Sequence, residues 1–184
     1  MTERVDLNKV IKSFLAADLA KEVENQANLT NAKIIFQKTT DFFLYYENEE
    51  ILKMVKDPLR LTRYTNCSWS LQEIKLTDMG VWLSQNHATG DLQREWCKGS
   101  VVDTALEVEK HKEVELRSIK KIRSMIPLID IILEYFPPIL VSGGEIRKAS
   151  DTKQLPFDVD DGSHRCIAAA LSGKTEIKCY VGMK

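Results

Sequence analysis

Five consecutive residues near the carboxyl end of the chain combine side chains and a turn that could bind an anion. They read Asp-Gly-Ser-His-Arg at 161–165. The sequence predicts extended structure at 156–160, a sharp turn at Asp161 and Gly162, and a helix from Ser163 to Leu171 that ends at Gly173. A strand that turns directly into a helix aims several backbone N–H groups at one point, with the helix dipole behind them. This arrangement favours a phosphate group.

Each residue of the segment has a role in that hypothesis. Gly162 lets the backbone approach the ligand closely, and Ser163 adds a hydroxyl donor. His164 and Arg165 supply charge-assisted hydrogen bonds, and the carboxylate of Asp161 can bind magnesium or accept a proton from an attacking hydroxyl. The alternative is a plain turn followed by a helix cap, because such residue clusters are common in loops.

The remaining elements are predicted from periodicity and from turn residues. An amphipathic helix opens the chain, and a short hairpin follows from two runs rich in β-branched and aromatic residues. A long charged helix and a mostly apolar helix precede the prolines Pro137 and Pro138. The predicted ranges are helix 7–28, hairpin strands 33–37 and 41–46, helix 49–56, strand 70–76, helix 101–126, helix 128–136, strand 139–141 and strand 177–181.

Composition limits the classes of function. The chain has 184 residues, 26 basic and 27 acidic, and 43% hydrophobic residues, which suits one main domain with a sizeable core. A net charge of -1 gives no overall attraction to nucleic acid or to an anionic membrane. The absence of a long apolar run or an amino-terminal signal predicts a cytoplasmic protein without a membrane partner. The four cysteines are far apart in the sequence and are expected to be reduced thiols.

The pattern around the turn resembles the ParB and sulfiredoxin superfamily, which includes the free serine kinases. The resemblance rests on the proline-led apolar strand at 138–141, the Asp-Gly-x-His-Arg segment at 161–165, Ala168 three residues past Arg165, Gly173 five residues further on, and the strand at 177–181. Sulfiredoxins have their catalytic cysteine where this chain has Ser163, which argues against sulfinic-acid reduction. The chain ends at Lys184, with no helix-turn-helix region after the domain.

The resemblance implies an α+β fold: a ParB/sulfiredoxin-like nucleotide-binding domain at 66–184, with a small mixed sheet flanked by helices and a long helical insertion near 101–126. Residues 1–65 would form an amino-terminal helical extension containing the hairpin. The closest motif, that of the free serine kinases, implies phosphate transfer from ATP or ADP, with CTP also considered, and with magnesium, to a small-molecule hydroxyl acceptor. Gly162, Ser163, His164 and Arg165 would then bind the phosphates.

Catalysis in this hypothesis needs Asp161, which is also the expected metal ligand, together with His164 and a second carboxylate. Glu73 and Asp78, in and just after the predicted strand 70–76, are the candidates, although an ordinary surface role suits each of them better. Lys174 could approach a phosphate, but a lysine just past a helix cap is usually solvated.

The alternative function is a DNA-associated ParB-like protein, either a nuclease or a nucleotide-switched clamp. A basic helical segment could contact the nucleic-acid backbone, although Glu113 and Glu115 interrupt it; its residues are Lys110, Lys112, Arg117, Lys120, Lys121 and Arg123. Trp69, Trp82 and Trp96 could stack on bases, but tryptophan more often belongs to the core. A metal site from Cys67, His87 and Cys97 lacks the closely spaced ligand pairs that are usual. An interaction module that has lost its chemistry is the third reading.

Overall fold

A six-stranded mixed sheet organises the chain. The computed structural model describes residues 3–23, 29–81, 99–144 and 155–184. The strands are β1 (Glu3–Val5), β2 (Ser68–Lys75), β3 (Met79–Gly80), β4 (Ile139–Ser142), β5 (Phe157–Asp161) and β6 (Glu176–Met183), and their order in the sheet is β1-β2-β6-β4-β5-β3. The pairs β6–β4 and β5–β3 are parallel and the others are antiparallel. The predicted α+β class is confirmed.

Helices lie against both faces of the sheet. They are α1 (Leu7–Val23), α2 (Leu29–Phe42), α3 (Asn48–Met54), α4 (Pro58–Thr65), α5 (Val101–Lys110), α6 (Arg117–Met125), α7 (Ile129–Tyr135) and α8 (Ser163–Leu171). Trp69 of β2 meets the ring of Tyr64 in α4, which in turn meets Phe14 in α1. Cys179 of β6 lies on the opposite face of the sheet, close enough to Cys166 of α8 to interact with it electrostatically.

The amino-terminal region contributes to the same sheet as the rest of the chain. Strand β1 pairs with β2, with Glu3 opposite Leu71, and so forms one edge of the sheet. Buried residues of α1, including Val10 and Ile11, belong to the same hydrophobic cluster as buried residues of β6 and α8. The boundary near residue 65 remains a sequence prediction, but residues before it supply a strand and core side chains to the structure after it.

The predicted hairpin at 33–37 and 41–46 is wrong, because helix α2 and a 3₁₀ turn (Phe43–Tyr45) occupy this segment. Ala32, Phe36, Thr39 and Phe43 are all buried, and their spacing of four, three and four residues is helical. The local β propensity of the β-branched and aromatic residues was outweighed by packing of one helical face against the core. Phe36, for example, contacts the ring of Phe136, with 5.1 Å between ring centroids.

The single long helix predicted at 101–126 is also wrong. Helix α5 ends at Lys110, and α6 begins at Arg117 after a turn. Both helices contact α8, and each has its own buried stripe; the two stripes are Val101, Ala105 and Val108, and Ile119, Ile122 and Met125. The turn lets both stripes pack against α8. The sequence did not predict it, because the segment contains no proline or glycine.

Other predictions near the turn are confirmed. Strand β4 begins at Ile139 after the two prolines, α7 occupies most of the predicted apolar helix, and α8 spans the predicted residues Ser163–Leu171. Gly162 and Gly173 have positive φ values of 96° and 84°. The predicted loop at 86–90 lies outside the described residues. None of the helices among the described residues combines the length and the apolarity needed to cross a bilayer.

Gly182 of β6 is expected to tolerate no larger residue, because the ring of Trp69 lies against its backbone. A Cβ atom at Gly182 would lie 2.7 Å from the nearest ring atom of Trp69. We expect Gly182→Ala to lower the free energy of unfolding by about 1–3 kcal/mol, measured by urea unfolding. The control is Lys178→Ala, at an exposed position of the same strand. Equal stability of the two variants would contradict the close packing of Trp69 against Gly182.

Candidate functional site

The end of β5 carries two adjacent aspartates, Asp160 and Asp161, at an irregularity of the sheet. Val159 pairs with Leu140 and Asp161 pairs with Ile139, so Asp160 is an extra residue between two consecutive pairs. Such a β-bulge bends a strand and redirects a side chain, and bulges are frequent beside active sites. At this bulge, one aspartate contacts α4 and the next contacts α8.

The carboxylate of Asp160 is held by three side chains of α4. Its Oδ2 atom accepts hydrogen bonds from Arg60 Nε at 2.8 Å and from the hydroxyl of Tyr64 at 2.6 Å, and its Oδ1 atom accepts one from Arg63. The Nη2 atom of Arg60 also donates to the backbone carbonyl of Asp160, at 3.2 Å. The Asp160 side chain is only 2% exposed. Because a buried carboxylate needs close partners to offset its lost hydration, these contacts connect α4 to β5.

Burial and neighbouring charges change the acid–base properties of the α4 side chains. Burial is the main reason that the pKa of Tyr64 is raised well above its ordinary value, and the adjacent carboxylate of Asp160 raises it further. Burial acts to lower the pKa of Arg60, but Asp160 and other acidic neighbours outweigh it, so that this pKa is raised. Arg60 is therefore a permanent cation, and Tyr64 a hydroxyl donor, throughout the physiological pH range.

Asp161 forms the second half of the site with Arg165, four residues later. The Nη2 atom of Arg165 donates to the Asp161 carboxylate, and the two side chains are 6% and 10% exposed. The backbone between them turns at Gly162, whose left-handed conformation starts α8. A Cβ atom at Gly162 would lie 2.8 Å from Arg165 side-chain nitrogens. Glycine is therefore required here both by the backbone conformation and by the close approach of the guanidinium group.

The other predicted phosphate ligands lie on the first turn of α8. Ser163 is buried and His164 is half-buried, with its Nε2 atom enclosed by the protein. The first intrahelical bond joins the N–H of Cys166 to the carbonyl of Gly162, so the N–H groups before Cys166 precede the helical ladder and lie at the positive end of the helix dipole. The structure thus brings the predicted residues 161–165 together.

The predicted second carboxylate, Glu73, is not brought to this turn. It is exposed on β2, opposite Lys178 of β6. Strand β2 lies three positions from β5 in the sheet, which is about 14 Å at the usual strand spacing. Asp78 is closer along the sheet, just before β3, which pairs with β5. Its Oδ1 atom accepts a hydrogen bond from Thr77 at 3.3 Å.

Sequence reasoning missed Asp160, Arg60, Arg63 and Tyr64. Arg60 and Asp160 are 100 residues apart in the chain, and no local periodicity connects them. One signal was present: two adjacent aspartates end a strand that should alternate apolar and polar residues. The same strand carries Asp158, which is 1% exposed and accepts a hydrogen bond from the N–H of Gly144 at 2.8 Å.

The remaining candidates are placed as follows. Lys174 forms an ion pair with Asp130 at 2.5 Å. Trp69 is buried and donates its indole N–H to the carbonyl of Tyr64, so it belongs to the core. Trp82 and Trp96, like His87 and Cys97, lie outside the described residues. Within the described ranges, no group of three His, Cys, Asp or Glu side chains could hold a metal ion.

The basic segment at 110–123 is largely paired with acids. The ion pairs are Lys110–Glu107, Lys112–Glu109, Lys120–Glu115 and Arg123–Glu109. Because exposed pairs of this kind lower the local positive potential, the segment offers less attraction to phosphate backbones than its lysine and arginine content implies.

Comparisons of the chain with protein-family models, with curated proteins and with solved structures gave no match.

Asp160 is expected to contribute strongly to stability. We expect Asp160→Ala to lower the free energy of unfolding by about 3 kcal/mol, because it leaves two arginines and a buried tyrosine hydroxyl without their acceptor. Asp160→Asn, which keeps an acceptor oxygen, should lose less. Urea unfolding of the two variants checks this order. An Asp160→Ala protein as stable as the parent would contradict the tie between α4 and β5.

Tyr64 is expected to make stability depend on alkaline pH. Its folded pKa is raised above the ordinary value of about 10, so its contribution is complete below pH 10 and is lost as the pH rises from there towards the folded pKa. Urea unfolding of the parent and of Tyr64→Phe at pH 8 to 11 measures this. The parent should lose stability more steeply than the variant above pH 10, and parallel curves would contradict the assignment.

Proposed function

We propose that the chain binds a nucleotide through its phosphates at the turn between β5 and α8 and transfers a phosphate group to a small hydroxyl acceptor. One observation carries this proposal: at the Asp160–Asp161 bulge, β5 turns at Gly162 directly into α8, so that a helix amino terminus, two acidic residues and a cation lie within one turn. Helix amino termini are established sites for phosphate groups.

Each residue of the turn has its own role in this proposal. Backbone N–H groups of the first turn of α8 and the hydroxyl of Ser163 hold phosphate oxygens, and His164 borders them. Arg165 holds the carboxylate of Asp161 in place and adds positive charge at the helix start. As the acceptor oxygen bonds to phosphorus and the bond from phosphorus to the nucleotide oxygen breaks, the acceptor proton moves to the carboxylate of Asp161.

Magnesium fits this site with one protein ligand. With a nucleotide, Mg²⁺ commonly takes one or two carboxylates and fills its other positions with phosphate oxygens and water. Of the three β5 aspartates, Asp161 is the most exposed at the turn, whereas Asp160 is committed to α4 and Asp158 to Gly144. Asp161 would hold the ion as the alternative to its role as proton acceptor, and the ion would neutralise charge on the phosphates.

The resemblance to the ParB and sulfiredoxin superfamily supports the same location. Its proline-led strand begins beside the turn, since a Cβ atom at Gly162 would lie 3.1 Å from the Cβ of Pro138. Tyr180 of the final strand donates its N–H to the carbonyl of Pro138 at 2.9 Å. We propose that the chain is a member of this superfamily. The DNA-associated alternative depends on the basic segment at 110–123, where the ion pairs with glutamates weaken the electrostatic argument.

The proposal is tested by calorimetric titration of the chain with ATP, ADP and CTP in the presence of magnesium. We expect one of these nucleotides to bind. Arg165→Ala removes the positive charge at the start of α8 and releases the Asp161 carboxylate, so the nucleotide should bind about 10 to 100 times more weakly, a loss of about 1.5–3 kcal/mol. Arg165→Lys, which keeps the charge, is the second variant if Arg165→Ala does not fold, and it should bind with intermediate affinity.

The matched control is Glu73→Gln, at the exposed position three strands away, which should leave nucleotide affinity and phosphate transfer unchanged. Transfer is followed with ATP labelled at its γ-phosphate and a set of small alcohols. Absence of binding by the parent, or full affinity in both Arg165 variants, would contradict the proposal. Loss of transfer in Glu73→Gln would restore the catalytic role that the sequence suggested for Glu73.

A further inference from the structure

Two arginines of α4 point at the aspartate that precedes the phosphate turn. Arg60 and Arg63 lie one helical turn apart and both bind the carboxylate of Asp160. Their side chains remain 24% and 21% exposed, whereas that of Asp160 is 2% exposed. The carboxylate is therefore enclosed, whereas part of each arginine side chain is accessible to solvent.

The arginines have more hydrogen-bond donors than Asp160 can accept. A guanidinium group has five N–H donors. Within the described residues, Arg60 uses its Nε and Nη2 atoms on Asp160, and Arg63 uses Nη1. Each guanidinium group therefore has further N–H donors beyond those that bind Asp160, and guanidinium donors suit planar and tetrahedral oxyanions.

The cluster is rich in cations. Three arginines (Arg60, Arg63 and Arg165) form ion pairs with two aspartates (Asp160 and Asp161). Asp57, at the exposed start of α4, also acts on Arg60 and balances the third positive charge. An anion at the arginine pair is therefore attracted by charged hydrogen-bond donors at short range and not by a net positive charge.

The arginines are held in place for this role. Besides its bonds to Asp160, Arg60 lies over the ring of Phe14, with its guanidinium carbon 4.8 Å from the ring centroid. Tyr64 is fully buried and donates its hydroxyl hydrogen bond to the same carboxylate. Side chains that are already ordered lose little freedom on binding a ligand.

The arginine pair borders the proposed phosphate site. Asp160 is followed directly by Asp161 and Gly162, and the carboxylate of Asp161 is close enough to Arg60 to raise its pKa. A ligand with one oxyanion at the start of α8 therefore has Arg60 close to it, and Arg63 binds the same Asp160 carboxylate as Arg60.

We propose that Arg60 and Arg63 form a second oxyanion subsite next to the phosphate turn, an inference that rests on the proposed function. The group it takes is a phosphate or a carboxylate. Two sources supply such a group: the terminal phosphate of the nucleotide, or an acid group on the hydroxyl acceptor. A purely structural role, in which the pair only ties α4 to β5, is the competing explanation.

The experiment separates binding from stability with two variants and a control. Arg63→Gln removes one guanidinium group, whereas Asp160→Asn keeps both guanidinium groups and weakens only the contacts that connect α4 to β5. The control is Arg123→Gln, an exposed arginine paired with Glu109 on another helix. Unfolding midpoints are measured for all of them. Calorimetry with AMP, ADP and ATP follows, together with inorganic phosphate added to the ADP-saturated protein.

We expect the parent and Arg123→Gln to behave alike. In Arg63→Gln, either the gain in affinity from ADP to ATP falls about tenfold, which assigns the subsite to the terminal phosphate, or that gain is unchanged while binding of inorganic phosphate to the ADP-loaded protein is lost, which assigns it to the acceptor. Asp160→Asn should be less stable than the parent and should keep this binding. Unchanged binding of ATP and of phosphate in Arg63→Gln, or loss of the same binding in Asp160→Asn, overturns the proposal.

Failure of the proposed function gives a different result. If the parent binds none of the nucleotides, the nucleotide site is wrong, and inorganic phosphate titrated into the protein alone decides on the arginine pair. Phosphate binding that is lost in Arg63→Gln supports the subsite, and absence of phosphate binding by the parent overturns it.

Discussion

The buried carboxylate of Asp160 is the interaction on which the arrangement of this protein's candidate site depends. Taking a carboxylate out of water is costly unless charged and hydrogen-bonding partners replace the lost hydration. Here two arginines and a tyrosine of α4 do so. The same contacts bring a helix from the first third of the chain against a strand close to its end, and they fix the backbone at the point where it turns into α8.

At the bulge, consecutive aspartates have different partners. In a regular strand, neighbouring side chains point to opposite faces of the sheet, and the inserted residue shifts the following backbone. Asp160 binds α4, and Asp161 binds Arg165 of α8. The left-handed Gly162 follows at once. Asp160, Asp161 and Gly162 therefore place arginines of α4 and α8, two helices far apart in the sequence, around one turn. This arrangement is the physical basis of the proposed phosphate site and of the proposed second subsite.

The two wrong elements have a common cause. The runs between Lys33 and Tyr46 have the composition of strands, yet their buried residues follow a helical spacing that only packing against Phe136 and α1 makes decisive. The segment 101–126 has the composition of one helix, yet both of its halves pack against α8, so the chain turns between them. In both cases tertiary contacts outweighed propensities that differ by less than about 1 kcal/mol per residue.

The sequence alone determined the α+β class, the strand at Ile139, the turn at Gly162, the helix-ending glycine at 173 and the bounds of α8, because turn residues and apolar periodicity act over a few neighbouring residues. It also predicted 161–165 as the candidate phosphate-binding segment. Only the tertiary structure decided that Arg60, Arg63 and Tyr64 adjoin this segment and that Glu73 lies three strands away. The reason is that strand order and helix docking are set by burial of apolar surface and by charge compensation between residues about 100 positions apart, and no local pattern encodes those pairings.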